Sequence, residues 1–323
     1  MSLRGVYSKR EEINPTGSFK ARGFSAAVTL LHERGVRKVA VNSNGNAAAA
    51  LAAYAARAGM EAYVFVPKDC PGLIAMESVH YGAHTYLVDG YIQDAGRVVE
   101  DGAAEQGWVH VGTLREPGRA EGKKTMGLEV AEQLEWTLPD VILYPTGGGS
   151  GIIGLWRAFE QLRQLGWVQG ELPRLIAVQE SGCQPIVDLM RAYGSDNERP
   201  ALADAAATAA PTGLRVPAPP DGHLIASILR RTGGDAISVT QEDIRGAAKE
   251  LAAAGLTASP EGAAVWAGLL QLHDSGYFRG NETVVLFNTS HAVKYWPWSM
   301  PEPIPVVRSY ADFKAVHPQA KGG

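Results

Sequence analysis

A lysine at the opening of a helix is the first residue of this chain that could do covalent chemistry. Asn14-Pro15-Thr16-Gly17-Ser18-Phe19-Lys20 reads as a Pro/Gly turn feeding Ser18, a suitable N-cap for a helix that begins near Phe19. Lys20 then falls in the first turn, where free amides and the positive end of the helix dipole disfavour an ammonium ion. Partial burial pushes the same way, so a neutral, nucleophilic amine is expected. Three further segments could serve it. Asn42-Ser43-Asn44-Gly45-Asn46 precedes an alanine-rich helix; capping by Asn46 would need only one of its four polar residues, and the set suits a bound carboxylate or phosphate. Gly147-Gly148-Gly149-Ser150-Gly151 lies between a strand and a helix, where absent Cβ atoms let backbone amides converge on an anion. Thr289 ends a buried strand and can face a ring nitrogen without offering it a charge. The neighbouring His291 carries no assignment by itself.

The glycine segment also contains Gly149-x-Gly151-x-x-Gly154, the dinucleotide fingerprint, so a nicotinamide or flavin oxidoreductase stays open on these residues. Its expected acidic partner, Glu180, lies further on than the usual interval of roughly 20 residues. No Gly-Lys-Ser/Thr follows, which argues against a triphosphate loop.

These segments need a scaffold, and the hydrophobic pattern supplies one. Strands expected at Lys38–Asn42, Ala62–Pro67 and His84–Val88 alternate with helices at Ala47–Ala58, Leu73–Tyr81 and Ile92–Glu105, the signature of parallel βαβ units. The rhythm resumes with a helix at Thr125–Glu135, a strand at Val141–Tyr144, a helix at Ile152–Leu165 and a strand at Leu175–Glu180, then helices at Glu242–Ala254 and Gly262–Ser275 and a strand at Thr283–Asn288. Two α/β lobes follow, each a mostly parallel sheet flanked by helices: a smaller domain at 30–116 and a larger, cofactor-binding one made of 1–29 and 117–323. The polar interval Gly112–Lys124 is expected to cross between them. Ala201–Ala210 and the prolines after it read as a long loop, and Trp296–Pro305 as a surface tail.

Composition bounds the function. With 46% hydrophobic and 20% charged residues over 323 positions, the chain can bury a large core. A net charge of −4 without long single-sign blocks offers nothing to nucleic acid or an anionic membrane. Two cysteines, Cys70 and Cys183, permit one bridge and no zinc or redox pair, which suits the reducing cytoplasm. No metal site is expected. The polar amino terminus and the lack of a long apolar run point away from export and from a membrane span.

Taken in order, the segments resemble the threonine-synthase branch of the fold-type II pyridoxal-phosphate enzymes, a group that includes tryptophan synthase β, cysteine synthase and the serine and threonine dehydratases. The family's Asn-Pro-Thr-Gly-Ser-Phe-Lys-Asp-Arg-Gly appears as Asn14–Gly23 with Ala21 for Asp, and its Ser-Ser-Gly-Asn as Ser43–Asn46. Arg119-Ala120-Glu121-Gly122-Lys123-Lys124-Thr125, Gly213-Leu214-Arg215-Val216-Pro217 and Ser259-Pro260-Glu261-Gly262-Ala263-Ala264 are further matches, so the likeness runs from about residue 7 to about residue 295. It implies pyridoxal 5′-phosphate held by Lys20 as a Schiff base, by Asn46 at the phenolic oxygen, by Gly147, Gly148, Gly149, Ser150 and Gly151 at the phosphate, and by Thr289 at the pyridine nitrogen. It implies O-phospho-L-homoserine as substrate, met by Ser43 and Asn44 and clamped at its phosphate by Arg119 and Lys124, with L-threonine and phosphate as products. A cytoplasmic homodimer completes the implied picture. Asn44 for serine, Ala21 for aspartate and Ser290-His291-Ala292 where the family has glycines are departures around the site. They keep other readings in play: a serine/threonine dehydratase, a cysteate-synthase-like enzyme, or a non-catalytic relative.

Overall fold

In the computed structural model residues 3–113, 115–193, 208–295 and 306–316 are described. In chain order the elements are β1 (Gly5–Arg10), α1 (Lys20–Glu33), β2 (Lys38–Asn42), α2 (Asn46–Arg57), β3 (Glu61–Pro67), α3 (Gly72–His80), β4 (His84–Val88), α4 (Ile92–Gln106), β5 (Val109–His110) and α5 (Pro117–Gln133). There follow β6 (Val141–Pro145), α6 (Ser150–Gln164), β7 (Arg174–Glu180), α7 (Pro185–Ala192), α8 (Gly222–Arg231), β8 (Asp235–Val239), α9 (Gln241–Ala253), α10 (Pro260–Asp274), β9 (Thr283–Asn288) and α11 (Tyr310–Val316). The strands form two sheets, ordered β1-β9-β6-β7-β8 and β4-β3-β2-β5, and every strand pair is parallel. The expected α/β architecture with two parallel sheets flanked by helices is therefore the one observed. Most of Ala201–Ala210 and all of Trp296–Pro305 lie outside the described residues.

The inner strands of both sheets are apolar on both faces, as helix-covered parallel strands must be. Val39, Val41, Val64 and Val66 pack under α2, whose alanines at 47–50 are buried, and against Phe24, Val28 and Leu31 of α1. In the larger sheet Ile142 and Tyr144 face α5 and α6, while Val141 and Leu143 face α10. Alternation along β6 thus feeds two separate cores.

Three features differ from the sequence reading. Gly112–Lys124 is not a loop throughout: α5 starts at Pro117, with Glu116 as N-cap accepting from the Arg119 amide at 3.0 Å. Its glycines broke the apolar rhythm because they make room for a neighbouring helix. A Cβ at Gly122 would collide with the Arg22 carbonyl of α1, and one at Gly23 would lie 2.8 Å from the Arg119 carbonyl. Ser18 does not cap α1; its Oγ is buried without a partner, and the residue bridges Ser290 instead. The edge strand β1 and the short β8, where Asp235 and Ser238 interrupt the apolar run, carry too few consecutive apolar residues to announce themselves.

The α1–α5 crossing yields a stability prediction. Gly122→Val forces two backbones apart and should cost about 3 kcal/mol or more, read as a lower unfolding midpoint in urea. A midpoint matching the parent protein would mean that the crossing has slack.

Candidate functional site

The carboxyl ends of β6 and β9 in one sheet and of β2 in the other open onto a shared cavity of about 380 Å3, the usual location for a ligand in open parallel sheets. Lys20, Ser43, Asn44, Asn46, Gly147, Gly148, Gly149, Ser150, Gly151 and Thr289 all line it. Segments more than two hundred residues apart in sequence are thereby brought together.

Lys20 is the first residue of α1. It is partly exposed, on the cavity, yet enclosed enough for burial to lower its amine from 10.5 to about 7; the Arg119 guanidinium pushes the same way and the Glu261 carboxylate opposes. Near neutrality a large share of the amine is unprotonated, as a nucleophile or base requires. Two consequences carry a sign. The apoprotein should capture an aldehyde faster as pH rises to about 7, with a plateau beyond, measured by absorbance after mixing; a flat profile would contradict the lowered amine. Between about 7 and 10.5 the unfolded chain holds a proton that the folded chain has lost, so this residue makes apoprotein stability rise with pH across that window.

The turn after β2 divides its labour. Ser43 Oγ accepts from the amides of Gly45 at 2.9 Å and Ala48 at 3.2 Å, which serves the start of α2. Asn46 is therefore not the cap. Its Nδ2 donates to the Tyr295 hydroxyl at 2.9 Å, and its Oδ1 is buried with no partner. Asn44 is held through Nδ2 by the Arg215 carbonyl at 2.8 Å. Arg215 in turn pairs with Asp69 at 2.7 Å, tying the segment after residue 208 to the loop after β3.

The glycines of the second turn have separate reasons. Gly149 has φ +72°, and its Cβ would strike Ile225; Cβ atoms at Gly147 and Gly151 would strike the Gly213 carbonyl and the Tyr144 hydroxyl. Gly148 alone is unconstrained by backbone, with its Cβ position 3.2 Å from the Thr113 methyl across the cavity. The result is a concave run of amides at the start of α6, beside a Tyr144 hydroxyl that is itself buried without a partner.

The structure places two expected substrate residues elsewhere. Lys124 lies off the cavity, paired with Glu121 and donating to Gln161 at 3.1 Å. Arg119 is 1% exposed, behind the lining: Nη1 donates to the Val111 carbonyl at 2.7 Å, and the guanidinium stacks on Phe24 at 4.4 Å. Its Nε and Nη2 are buried without partners. The fingerprint reading also fails locally, because a Cβ at Gly154 would lie 3.0 Å from the Cβ of Lys123 in α5, and Glu180 accepts from the Ala210 amide.

Glu261, Tyr295 and Lys123, absent from the expected set, stand out. Glu261, 4% exposed, accepts from the Gly213 amide at 2.7 Å and from the Tyr295 hydroxyl. It thereby anchors the Tyr295–Asn46 contact. Lys123 is buried and donates to Ser150 Oγ at 2.8 Å. Helical spacing could have found it: had 117–133 been read as a helix, Arg119, Lys123, Met126 and Val130 would fall on its buried face and Lys124 off it. Glu261 after Ser259-Pro260 looks like an ordinary acidic first turn, and only its burial marks it.

A site with neutral-poised Lys20, an amide cradle, and unpartnered Asn46 Oδ1 and Tyr144 hydroxyl fits a flat heteroaromatic aldehyde carrying a phosphate. The family described as pyridoxal-phosphate dependent enzyme matches residues 2–290. A threonine synthase of Methanosarcina acetivorans is 35% identical over 300 residues, covering 91% of this chain and 72% of that protein. One of Methanocaldococcus jannaschii is 35% identical over 297 residues, with coverages of 91% and 72%. Among solved structures, a pyridoxal 5′-phosphate-dependent aspartate racemase superposes with a TM-score of 0.76 at 21% identity, over 91% of this chain and 87% of that one; it speaks to the fold alone. Pyridoxal 5′-phosphate is the cofactor that the cavity and these matches have in common, and the chain belongs to the pyridoxal-phosphate dependent enzymes, in the part of that family where the threonine synthases lie.

Proposed function

We propose that this protein converts O-phospho-L-homoserine and water to L-threonine and phosphate, with Lys20 as both covalent anchor of the cofactor and shuttle of protons. The observation that carries the reading is the 35% identity to threonine synthases over 91% of the chain, joined to a lysine amine poised near 7 in the same cavity as the amide cradle.

Bound in the cleft, pyridoxal 5′-phosphate supplies an electron sink conjugated to the substrate's α-carbon. The Gly147–Gly151 amides and the start of α6 would hold its phosphate, Asn46 would meet its phenolic oxygen, and Thr289 would meet the ring nitrogen with a neutral hydroxyl. The Lys20 amine takes a proton from substrate Cα and a second from Cβ as phosphate leaves Cγ with the bonding pair, and it returns protons to Cγ and finally to Cα; the departing phosphate takes up the proton shed by the water. Its lowered pKa lets it act in both directions near neutrality. Water adds at Cβ. Glu261 and Tyr295 keep the Asn46 amide from rotating. The substrate's phosphate, entering by the mouth, meets Arg97 and Arg115, which line it and pair with Asp94 and Glu100. Arg119 lies behind, where it depresses the Lys20 pKa rather than clamping substrate.

The lobes are taken to part at 29/30 and 116/117: every strand of the four-stranded sheet lies within 30–116, and those of the other sheet lie outside it. A cytoplasmic homodimer is the corresponding assembly, and two free buried thiols suit that compartment. The test is phosphate release and threonine formation when the holoenzyme is offered O-phospho-L-homoserine beside serine, threonine and phosphoserine. Turnover of the first alone supports the reading. Ammonia and a keto acid from serine or threonine would make it a dehydratase.

A further inference from the structure

Lys123 is a buried basic side chain for which the mechanism above has no use. It is 1% exposed, and among the described residues neither it nor Arg119 makes an ion pair. Arg119 and Lys20 both depress its pKa after burial itself. Three basic side chains, on the start of α1 and one face of α5, thus lie close together with Glu261 and Glu116 as the acids that act on the group. Both acids are committed: Glu116 caps α5, and Glu261 accepts from Gly213 and Tyr295. An interior with excess positive charge is costly unless an anion joins it.

The contact with Ser150 says where that anion lies. A serine hydroxyl has one proton to donate and two lone pairs to accept. Lys123 Nζ donates across 2.8 Å and so occupies a lone pair. The Ser150 proton is then free to turn to the cavity that Ser150 lines, among the opening amides of α6. A hydroxyl polarised by an ammonium is a stronger donor than one in water.

We infer that Lys123 is a recessed cation of the phosphate cradle, a positioning residue that acts on the dianionic phosphate monoester of the cofactor through the Ser150 hydroxyl. This rests on the reading of Gly147–Gly151 as the cradle. Lys124, the neighbouring lysine, faces away and cannot substitute for it.

The experiment compares pyridoxal 5′-phosphate with pyridoxal, which lacks the phosphate, in titrations of apoprotein followed by visible absorbance. Lys123→Met should weaken the phosphorylated form about tenfold and leave pyridoxal unchanged. Ser150→Ala should do the same. The double variant should lose no more than either single one, because both substitutions break one chain of hydrogen bonds. Apoprotein carrying Lys123→Met should melt no lower than the parent, since the burial that lowers the amine's pKa is a cost to the folded state that methionine does not meet, which separates the effect from misfolding. Equal losses for both ligands, or fully additive losses, would overturn the inference. A higher KM for phosphorylated substrate with unchanged cofactor affinity would also overturn it, by assigning the cation to the substrate's phosphate. If the parent protein itself shows no preference for the phosphorylated form, the cradle reading fails, and the inference with it.

Discussion

Replacing Lys20 with alanine is expected to leave a folded protein whose turnover falls at least ~1,000-fold, the range for losing a positioned acid–base group. Borohydride reduction of the parent holoenzyme should fix the cofactor to the peptide containing Lys20, while the variant should release it on denaturation. The amine's environment makes this residue special: burial and Arg119 hold its pKa near 7, a setting that no other lysine lining the cavity could supply, since Lys20 is the lysine that lines it among the described residues. The variant apoprotein should be no less stable than the parent near pH 7, because the enclosure that lowers the Lys20 pKa is a cost to the folded state that alanine does not meet. A cofactor adduct mapped to Lys123 or another lysine would move the chemistry off Lys20.

The second large effect should come from Gly148→Val. Gly147, Gly149 and Gly151 cannot accept a side chain without striking protein, so substitutions there confound folding with binding. Gly148 has ordinary φ and faces only the Thr113 methyl across the cavity. Valine there would fill the cradle, and the protein group its Cβ meets, the Thr113 methyl at 3.2 Å, has only to give by a few tenths of an ångström. Cofactor affinity should drop about 100-fold, equivalent to ~3 kcal/mol of lost contacts, with the apoprotein's melting midpoint unchanged. A protein that still turned yellow at the parent's cofactor concentration would show that the phosphate lies elsewhere.

The sequence made the strand–helix alternation legible because buried parallel strands and amphipathic helices differ in period, and each expected strand was found within a residue or two. It also exposed the residues whose types are rare in such turns: a lysine after Gly17-Ser18, polar residues after β2, a glycine run after β6. It hid what depends on contact between distant segments. Arg119 carries the same charge whether it clamps a ligand or stacks on Phe24, and only the α1–α5 crossing decides. Lys123 and Lys124 are adjacent and chemically alike; helical phase sends one inward to Ser150 and the other out to Glu121. The glycines of α5 looked like loop residues because their reason, a backbone within touching distance, belongs to another helix.

Helix α1 belongs to two cores at once. Phe19, just before it, packs on the larger sheet's core, whereas Phe24, Val28 and Leu31 are set in the smaller one. A helix of 14 residues is a stiff rod about 20 Å long, so a tilt of only a few degrees about its far end displaces the Lys20 end by about 1 Å. Displacements of that size can cost ~100-fold in rate. The angle between the lobes therefore works as a lever on the amine, and a substitution that loosens the smaller lobe would dim turnover long before it unravelled the chain.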